Sequence, residues 1–127
     1  MSTPFDPRRG LVVVSAEVVW PYGSAVVSMA LDTGATGSML NAALLVALGY
    51  DPALVPDRVQ VTTGSGVEFV PRVYVERLTA LGKVQETIGI LCHTLPTSAT
   101  VDGLLGLDFM RNMCLQIDFR VGTISLE

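Results

Sequence analysis

The stretch Ala25-Val26-Val27-Ser28-Met29-Ala30-Leu31-Asp32-Thr33-Gly34-Ala35 decides the interpretation of this chain. Its apolar run predicts a buried strand, and the glycine after it predicts a tight turn. Asp32 would then stand where the strand ends, either as a reactive carboxylate or as a residue that only shapes the loop. Two carboxylates about 3 Å apart cannot both ionise, so a pair of them can share one proton and act as acid and base. The chain has one such segment, and the second carboxylate would come from a second copy related by a two-fold axis.

A second informative stretch lies about seventy residues downstream, at Val101-Asp102-Gly103-Leu104-Leu105-Gly106-Leu107-Asp108-Phe109-Met110. Together the two stretches resemble the retropepsin-like aspartic proteases, single-domain relatives of pepsin that act as homodimers. With residues 111–118, the second stretch also resembles the protease domain of the DNA-damage-inducible proteins and small bacterial relatives. The resemblance covers roughly residues 12–126. It implies a mostly β, closed barrel-like lobe with one or two short helices, and one domain over residues 1–127.

The same resemblance implies roles for the active-site loop. Asp32 would be the catalytic acid and base. The Thr33 hydroxyl would bond across the two-fold axis, and Gly34 would allow close approach and a backbone conformation that a Cβ would oppose. Ala35, in place of the serine or threonine of many two-lobed members, would leave the carboxylate less hydrogen-bonded.

Two more segments gain expected roles from the resemblance. Gly64, Ser65 and Gly66 stand where the family has its flap, the hairpin tip that closes over a peptide, although an ordinary exposed hairpin is the alternative. Leu104, Leu105 and Gly106 would run beneath the catalytic loop, with the leucines lining either the core or substrate subsites.

Two positions depart from the retroviral pattern. Thr36 stands where the retroviral enzymes have an aspartate, and Leu107 stands where they have an arginine. Those two residues would be partners there, so losing both leaves no unpaired charge. How the dimer is braced and how substrate ends are held is left open by the sequence.

The composition indicates which kinds of partner this chain could bind. Hydrophobic residues make up 50% of the chain and charged residues 16%, and the mean hydropathy is +0.51, which favours an apolar surface that meets a partner. A net charge of −4 with only eight Lys and Arg disfavours nucleic acid. No apolar stretch reaches the roughly 18–20 residues of a membrane span. The first residues lack the pattern of a signal peptide, which predicts a cytoplasmic protein unless the chain was excised from a longer precursor.

Other reactive side chains receive weaker interpretations. Cys92 and Cys114 are isolated and predicted to be reduced core thiols, and with the single His93 they favour neither a metal site nor a redox pair. A nucleophilic triad around His93 has little support. Asp108 is predicted to cap a helix, while Asp102 and Asp118 are predicted to be solvated at strand ends.

Apolar periodicity and turn residues outline the elements. Two hairpins are expected early in the chain, one closing hairpin at its end, and two short helices, the first capped by Asn41 and stopped by Gly49. The predicted strands cover 11–20, 25–31, 58–63, 67–75, 83–91, 115–118 and 123–126, and the predicted helices cover 41–48 and 107–112.

The sequence thus predicts a homodimeric aspartic endopeptidase that cleaves extended peptides with water as the nucleophile and needs no metal or cofactor. Two alternatives remain at this point. One is a catalytically silent dimeric module that binds peptides. The other is a self-processing domain with one specific protein substrate.

Overall fold

Ten strands and two short α-helices follow one another in the computed structural model, which describes residues 1–127 except for the side chain of residue 63. A 3-10 turn also lies at Pro52–Leu54. The strands are β1 (Ser2–Pro4), β2 (Val13–Trp20), β3 (Gly23–Leu31), β4 (Met39–Asn41), β5 (Arg58–Thr63), β6 (Gly66–Ala80), β7 (Lys83–His93), β8 (Gly103–Leu105), β9 (Leu115–Asp118) and β10 (Thr123–Leu126), and the helices are α1 (Ala42–Ala47) and α2 (Leu107–Met110).

Six of the strands form a closed barrel. They are hydrogen-bonded in the order β2, β3, β8, β4, β7 and β6, and β6 returns to pair with β2. Most neighbours are antiparallel, but β8 runs parallel to β3, and β4 runs parallel to β7. The parallel pairing of β3 with β8 brings the ends of these two strands to the same place, which is where the loop that starts at Asp32 begins.

Two further sheet regions extend from the barrel. The first half of β6 continues beyond the barrel and pairs with β5, which forms a hairpin with its turn at Gly64 and Ser65. Near the chain ends, β1, β10 and β9 form a separate three-stranded antiparallel sheet. In that sheet β10 lies in the middle, so β1 and β9 are its outer strands.

The core fills the barrel because side chains alternate along each strand. In β2, for example, Val14, Ala16 and Val18 are buried while Ser15 and Glu17 are exposed. Helix α2 contributes Phe109, whose side chain is fully buried. Other large, fully buried side chains come from barrel strands, from α1 and from β10 of the terminal sheet: Met29, Leu40, Leu45, Val75, Leu78, Ile90, Leu105 and Ile124.

The predicted fold class is confirmed, since the molecule is mostly β with a closed barrel and two short helices. Asn41 caps α1 as expected, accepting a hydrogen bond from the Ala43 N–H. Strand β1 and the turn at Pro52–Leu54 were not predicted. Along the part of the chain that the structure describes, no helix has the length and apolar character needed to cross a membrane.

Candidate active site

Asp32 lies directly after β3, at the point where the strand leaves the barrel. Its N–H donates to the Leu105 carbonyl at 3.0 Å, and its own carbonyl accepts from the Ala35 N–H at 3.2 Å. The carboxylate Oδ1 accepts from the Gly34 N–H at 2.8 Å. The parallel pairing of β3 with β8 therefore fixes the backbone of Asp32, and the turn that follows holds one carboxylate oxygen.

The structure shows a local reason for a glycine at position 34. Its backbone is not left-handed, because the positive-φ residues are elsewhere in the chain. Instead, a Cβ at Gly34 would lie 3.1 Å from Oδ1 of Asp32. Thr33 and Gly34 are exposed, and no described side chain hydrogen-bonds the Thr33 hydroxyl. This side of the loop is thus exposed.

The segment beneath the loop runs alongside it. The Leu107 N–H donates to the Ala35 carbonyl at 2.8 Å, and the Asp108 N–H donates to the Thr36 carbonyl at 3.2 Å. At Gly106 there is no room for a side chain, because a Cβ would lie 2.8 Å from the Ala35 oxygen. Residues 104–106 therefore lie directly against the loop at residues 32–36.

A buried serine joins the two segments. Ser38 is fully buried, its hydroxyl donates to Oδ1 of Asp108 at 2.7 Å, and its N–H donates to Oδ2 of Asp108 at 3.0 Å. The same hydroxyl accepts from the Gly106 N–H at 3.0 Å. A buried polar group is stabilising only when its hydrogen bonds are made. Ser38 satisfies this condition, so the link holds the loop to the segment below it.

Asp108 and Asp102 have other functions than the sequence predicted. Asp108 is not the N-cap of α2, which is Gly106, although its Oδ1 accepts from the Phe109 N–H in the first turn at 2.9 Å; the Asp108 carboxylate also binds Ser38. Asp102 is half-buried rather than solvated, and its Oδ2 accepts from the Ser28 N–H at 2.8 Å. Both aspartates support the loop region instead of facing water freely.

A cleft of about 630 Å³ opens above the loop. Its walls come from the loop itself, the start of β4, strand β5, parts of β6 and β7, and Asp108. The lining residues are Asp32, Gly34, Ala35, Thr36, Gly37, Met39, Val59, Gln60, Val61, Thr62, Arg72, Gly89, Leu91 and Asp108. A cleft of this size, with a carboxylate at one side, has the volume expected for a ligand site.

The predicted site residues separate into three groups. Asp32, Gly34 and Ala35 line the cleft, whereas Leu104 and Leu105 lie outside its lining, and Leu105 belongs to the core. The hairpin turn at residues 64–66 is also outside the lining, although the neighbouring strand β5 forms one wall. The flap role therefore stays a prediction for the turn, and β5 is the part of the hairpin that faces Asp32.

The sequence did not predict several of the residues that line the cleft. Two of these residues, Arg72 and Asp108, are charged. A signal for Asp108 existed, because a carboxylate beside the Leu-Leu-Gly segment was bound to lie near the loop. For Arg72 there was no local signal. It lies on β6, forty residues from Asp32, and only the barrel closure brings the two to one cleft.

His93 and the two cysteines lie outside this cleft. Nε2 of His93 is 2.8 Å from Oε2 of Glu68, and Nδ1 is 3.0 Å from the Thr94 carbonyl. Burial raises the pKa of the Cys92 thiol, as expected of a core thiol. Cys114, in contrast, is exposed, so its prediction as a core thiol is wrong.

Comparison with known proteins agrees with this geometry. Residues 23–112 match the family model described as gag-polyprotein putative aspartyl protease. The crystal structure of a retropepsin-like aspartic protease from Rickettsia conorii superposes with a TM-score of 0.71 at 20% identity, covering 99% of this chain and 88% of that one. A protein of unknown function from Legionella pneumophila gives a TM-score of 0.47 at 22% identity, over 77% of this chain and 82% of that one. No protein with a curated description matches in sequence.

The family match extends from the start of β3 to the end of α2, and so includes both the active-site loop and the segment beneath it. The Rickettsia structure is similar in fold over nearly the whole chain. The chain therefore belongs to the gag-polyprotein aspartyl protease family and has the retropepsin-like fold.

Proposed function

We propose that two copies of this chain form one aspartic endopeptidase, with Asp32 of each copy supplying one of the two catalytic carboxylates. The observation that supports this most directly is the accessibility of Asp32. Its Oδ1 accepts from Gly34, and no described residue hydrogen-bonds its Oδ2. Asp108 is the other carboxylate of the cleft, but Ser38 binds both of its oxygens. One chain thus offers one available carboxylate, and the two-carboxylate mechanism requires a second.

The reaction follows from one proton shared by two carboxylates. The ionised Asp32 takes a proton from water as the water oxygen bonds to the scissile carbonyl carbon, and the protonated Asp32 of the other copy gives its proton to the carbonyl oxygen. When the tetrahedral intermediate collapses, the Asp32 that took the proton of water gives it to the amide nitrogen, and the other Asp32 takes a proton back from a hydroxyl of the intermediate as the C–N bond breaks. Water is the nucleophile, and no covalent enzyme intermediate forms.

Strand β5 suits the binding of an extended peptide. Residues 59–62 line the cleft, and β5 is paired on one side only, with β6. A peptide backbone can add to such a free edge as another strand, while pockets receive alternate side chains. The β5–β6 hairpin would then act as the flap that covers the substrate and excludes water.

The terminal sheet offers edges for joining two copies. Strands β1 and β9 are its outer strands, and an unpaired strand edge is a template for pairing with another chain. The exposed Thr33 would lie near the two-fold axis in such an assembly. Homodimer formation is thus part of the proposal.

We also infer a place for the chain within the family, in the branch that includes the protease domain of the DNA-damage-inducible proteins. Leu107 and Thr36 replace the retroviral arginine and aspartate. In this chain the two segments are joined instead by backbone hydrogen bonds and by the pair of Ser38 and Asp108. Such a link keeps the segments together without a charged pair between those two positions.

The test is cleavage of a diverse peptide mixture by the wild-type chain and by Asp32→Asn, between about pH 4 and pH 8, with products identified by mass spectrometry. The asparagine keeps the shape of the side chain and removes the titrating group. Cleavage by the wild type alone supports the proposal, and equal cleavage by both removes Asp32 from it. If neither chain cleaves but both bind peptides, a silent binding module is favoured. Cleavage that requires one particular flanking segment favours a self-processing domain.

A further inference from the structure

Arg72 is the one cationic residue among the described side chains that line the cleft. It lies on β6, at the root of the β5–β6 hairpin, and its side chain is 38% exposed. The other charged residues of the lining are Asp32 and Asp108, both of which are carboxylates. A single positive group in an otherwise neutral or negative cleft is a feature that a peptide ligand would meet at one position only.

Asp57 holds this side chain in a fixed orientation. Nε of Arg72 donates to Oδ2 of Asp57 at 2.8 Å, Nη2 donates to Oδ1 at 3.3 Å, and the backbone N–H of Arg72 donates to the Asp57 carbonyl at 3.0 Å. The guanidinium carbon also lies 5.6 Å from the centre of the Tyr74 ring. This bonding to Asp57 raises the pKa of Arg72, so the side chain stays charged throughout the working pH range.

Gly89 on the neighbouring strand β7 makes room for this side chain. A Cβ at Gly89 would lie 2.7 Å from Cδ of Arg72. The stem of Arg72 therefore lies across the glycine, and the residue forms part of the cleft lining. Because both its stem and its Nε edge are held, little side-chain entropy is lost when a ligand binds the remaining nitrogens.

The guanidinium keeps donors that have no hydrogen-bond acceptor among the described residues. Asp57 takes Nε and one bond from Nη2, and none of the described residues accepts a hydrogen bond from Nη1. Asp57 is not part of the cleft lining, whereas Arg72 is. The two terminal nitrogens present a second pair of donors, spaced to bind both oxygens of a carboxylate.

We propose that Arg72 is a specificity-determining residue, which selects peptides that carry a Glu or Asp side chain at one subsite. This rests on the proposed function, in that the cleft is taken to be the peptide site. A carboxylate binds a planar guanidinium through two parallel hydrogen bonds, whereas a neutral amide makes one good acceptor contact. An acidic side chain elsewhere in the cleft would meet no cation and would approach Asp32 or Asp108. The preference is therefore expected at one peptide position.

Binding to the Asp32→Asn chain tests this without relying on turnover. Random short peptides are prepared in matched mixtures, with Glu or Gln fixed at one position at a time, and the retained fraction is read by mass spectrometry. We expect Glu to be retained about tenfold better than Gln at one position. In Asp32→Asn combined with Arg72→Met, that preference should fall to less than about twofold. The control is Arg77→Met in the same background, which removes an equal charge from β6 outside the cleft.

A further variant and a parallel cleavage assay complete the test. Arg72→Lys keeps the charge but loses the fork, so about a third of the preference should survive if Arg72→Met does not fold. The proposal is overturned if no position prefers Glu, or if Arg72→Met or Arg72→Lys keeps the full preference. It is also overturned if Arg72→Met weakens Glu and Gln peptides equally. Wild-type cleavage, run in parallel, tests the proposed function separately: a Glu preference without cleavage contradicts only that function.

Discussion

The floor of the cleft and the hairpin above it are held in contrasting ways. The floor consists of residues 32–38 and 105–108, which are joined by backbone hydrogen bonds and by the buried link between Ser38 and Asp108. The hairpin consists of β5 and the first part of β6, where residues 66–69 are exposed. Phe69, for example, is 67% exposed, whereas Phe109 beside the floor is fully buried.

This contrast follows the needs of the proposed chemistry. A carboxylate that must share a proton with its partner has to be placed to within a fraction of an ångström, so it is built on a packed segment. A hairpin that admits and covers a peptide needs few buried contacts, so that opening is not costly. The hairpin is fastened at its root, where Arg72 binds Asp57, and closer to its turn, where Glu68 binds His93.

The largest difference between the two regions should come from adding one methyl group to each. In the floor, the new Cβ of Gly106→Ala would lie 2.8 Å from the Ala35 oxygen and 2.9 Å from the Gly37 oxygen. We expect the free energy of unfolding, measured by urea denaturation, to fall by about 2–3 kcal/mol. In the hairpin, Gly64→Ala meets nothing within 4 Å and should change it by less than about 0.5 kcal/mol. If both variants changed the free energy of unfolding equally, the proposed contrast between the floor and the hairpin would be contradicted.

A smaller effect is expected from the buried hydroxyl. Ser38→Ala removes the donor to Asp108 and leaves the Gly106 N–H without its acceptor. We expect a loss of about 1–3 kcal/mol in the free energy of unfolding and reduced peptide cleavage at temperatures where the chain stays folded. The exposed Ser24→Ala is the matched control and should lie within about 0.5 kcal/mol of the wild type. A Ser38→Ala chain as stable as the control would show that the link is dispensable.

The smallest effect is expected in thiol reactivity. It tests whether opening of the hairpin extends to the barrel, and it does not require a change in the fold. Because burial raises the pKa of Cys92, its thiolate fraction at about pH 8 is lower than that of an ordinary cysteine, and reaction requires opening of the barrel. In Cys114→Ser, where Cys92 is the remaining thiol, a colorimetric thiol reagent should act slowly in buffer and rapidly in urea. In the wild type, one additional thiol, that of Cys114, should react rapidly with the reagent in buffer. Fast reaction of Cys92 in buffer would mean that hairpin opening extends into the barrel wall.

Much of the fold was predictable because the core strands carry their own pattern. The alternation in β2 and the turn residues around each hairpin predicted most strands to within a few residues. Asn41 identified the start of α1 through a local capping bond. Strand β1 was missed because Ser2–Pro4 has no apolar period and is fixed only by pairing with β10, at the far end of the chain.

The site was predictable only where its residues stand close together in sequence. Asp32 and its turn form one local motif, whereas the partners of Asp108 and Arg72 depend on contacts between segments that are separate in sequence. Ser38 and Asp108 are 70 positions apart, and Arg72 and Asp57 are 15 apart. Local periodicity carries no information on which of several aspartates will be buried against a hydroxyl. Those roles required the three-dimensional arrangement.

The central claim is that two copies of Asp32 share one active site, and the most direct measurement is cleavage by mixtures of wild-type and Asp32→Asn chains at constant total concentration. The two chains are unfolded together and refolded, so that partners are exchanged at random. If one carboxylate comes from each copy, an equal mixture should retain about a quarter of the wild-type activity, since that is the share of dimers with two aspartates. Retention of about half would mean that each chain acts by itself, which would contradict the account.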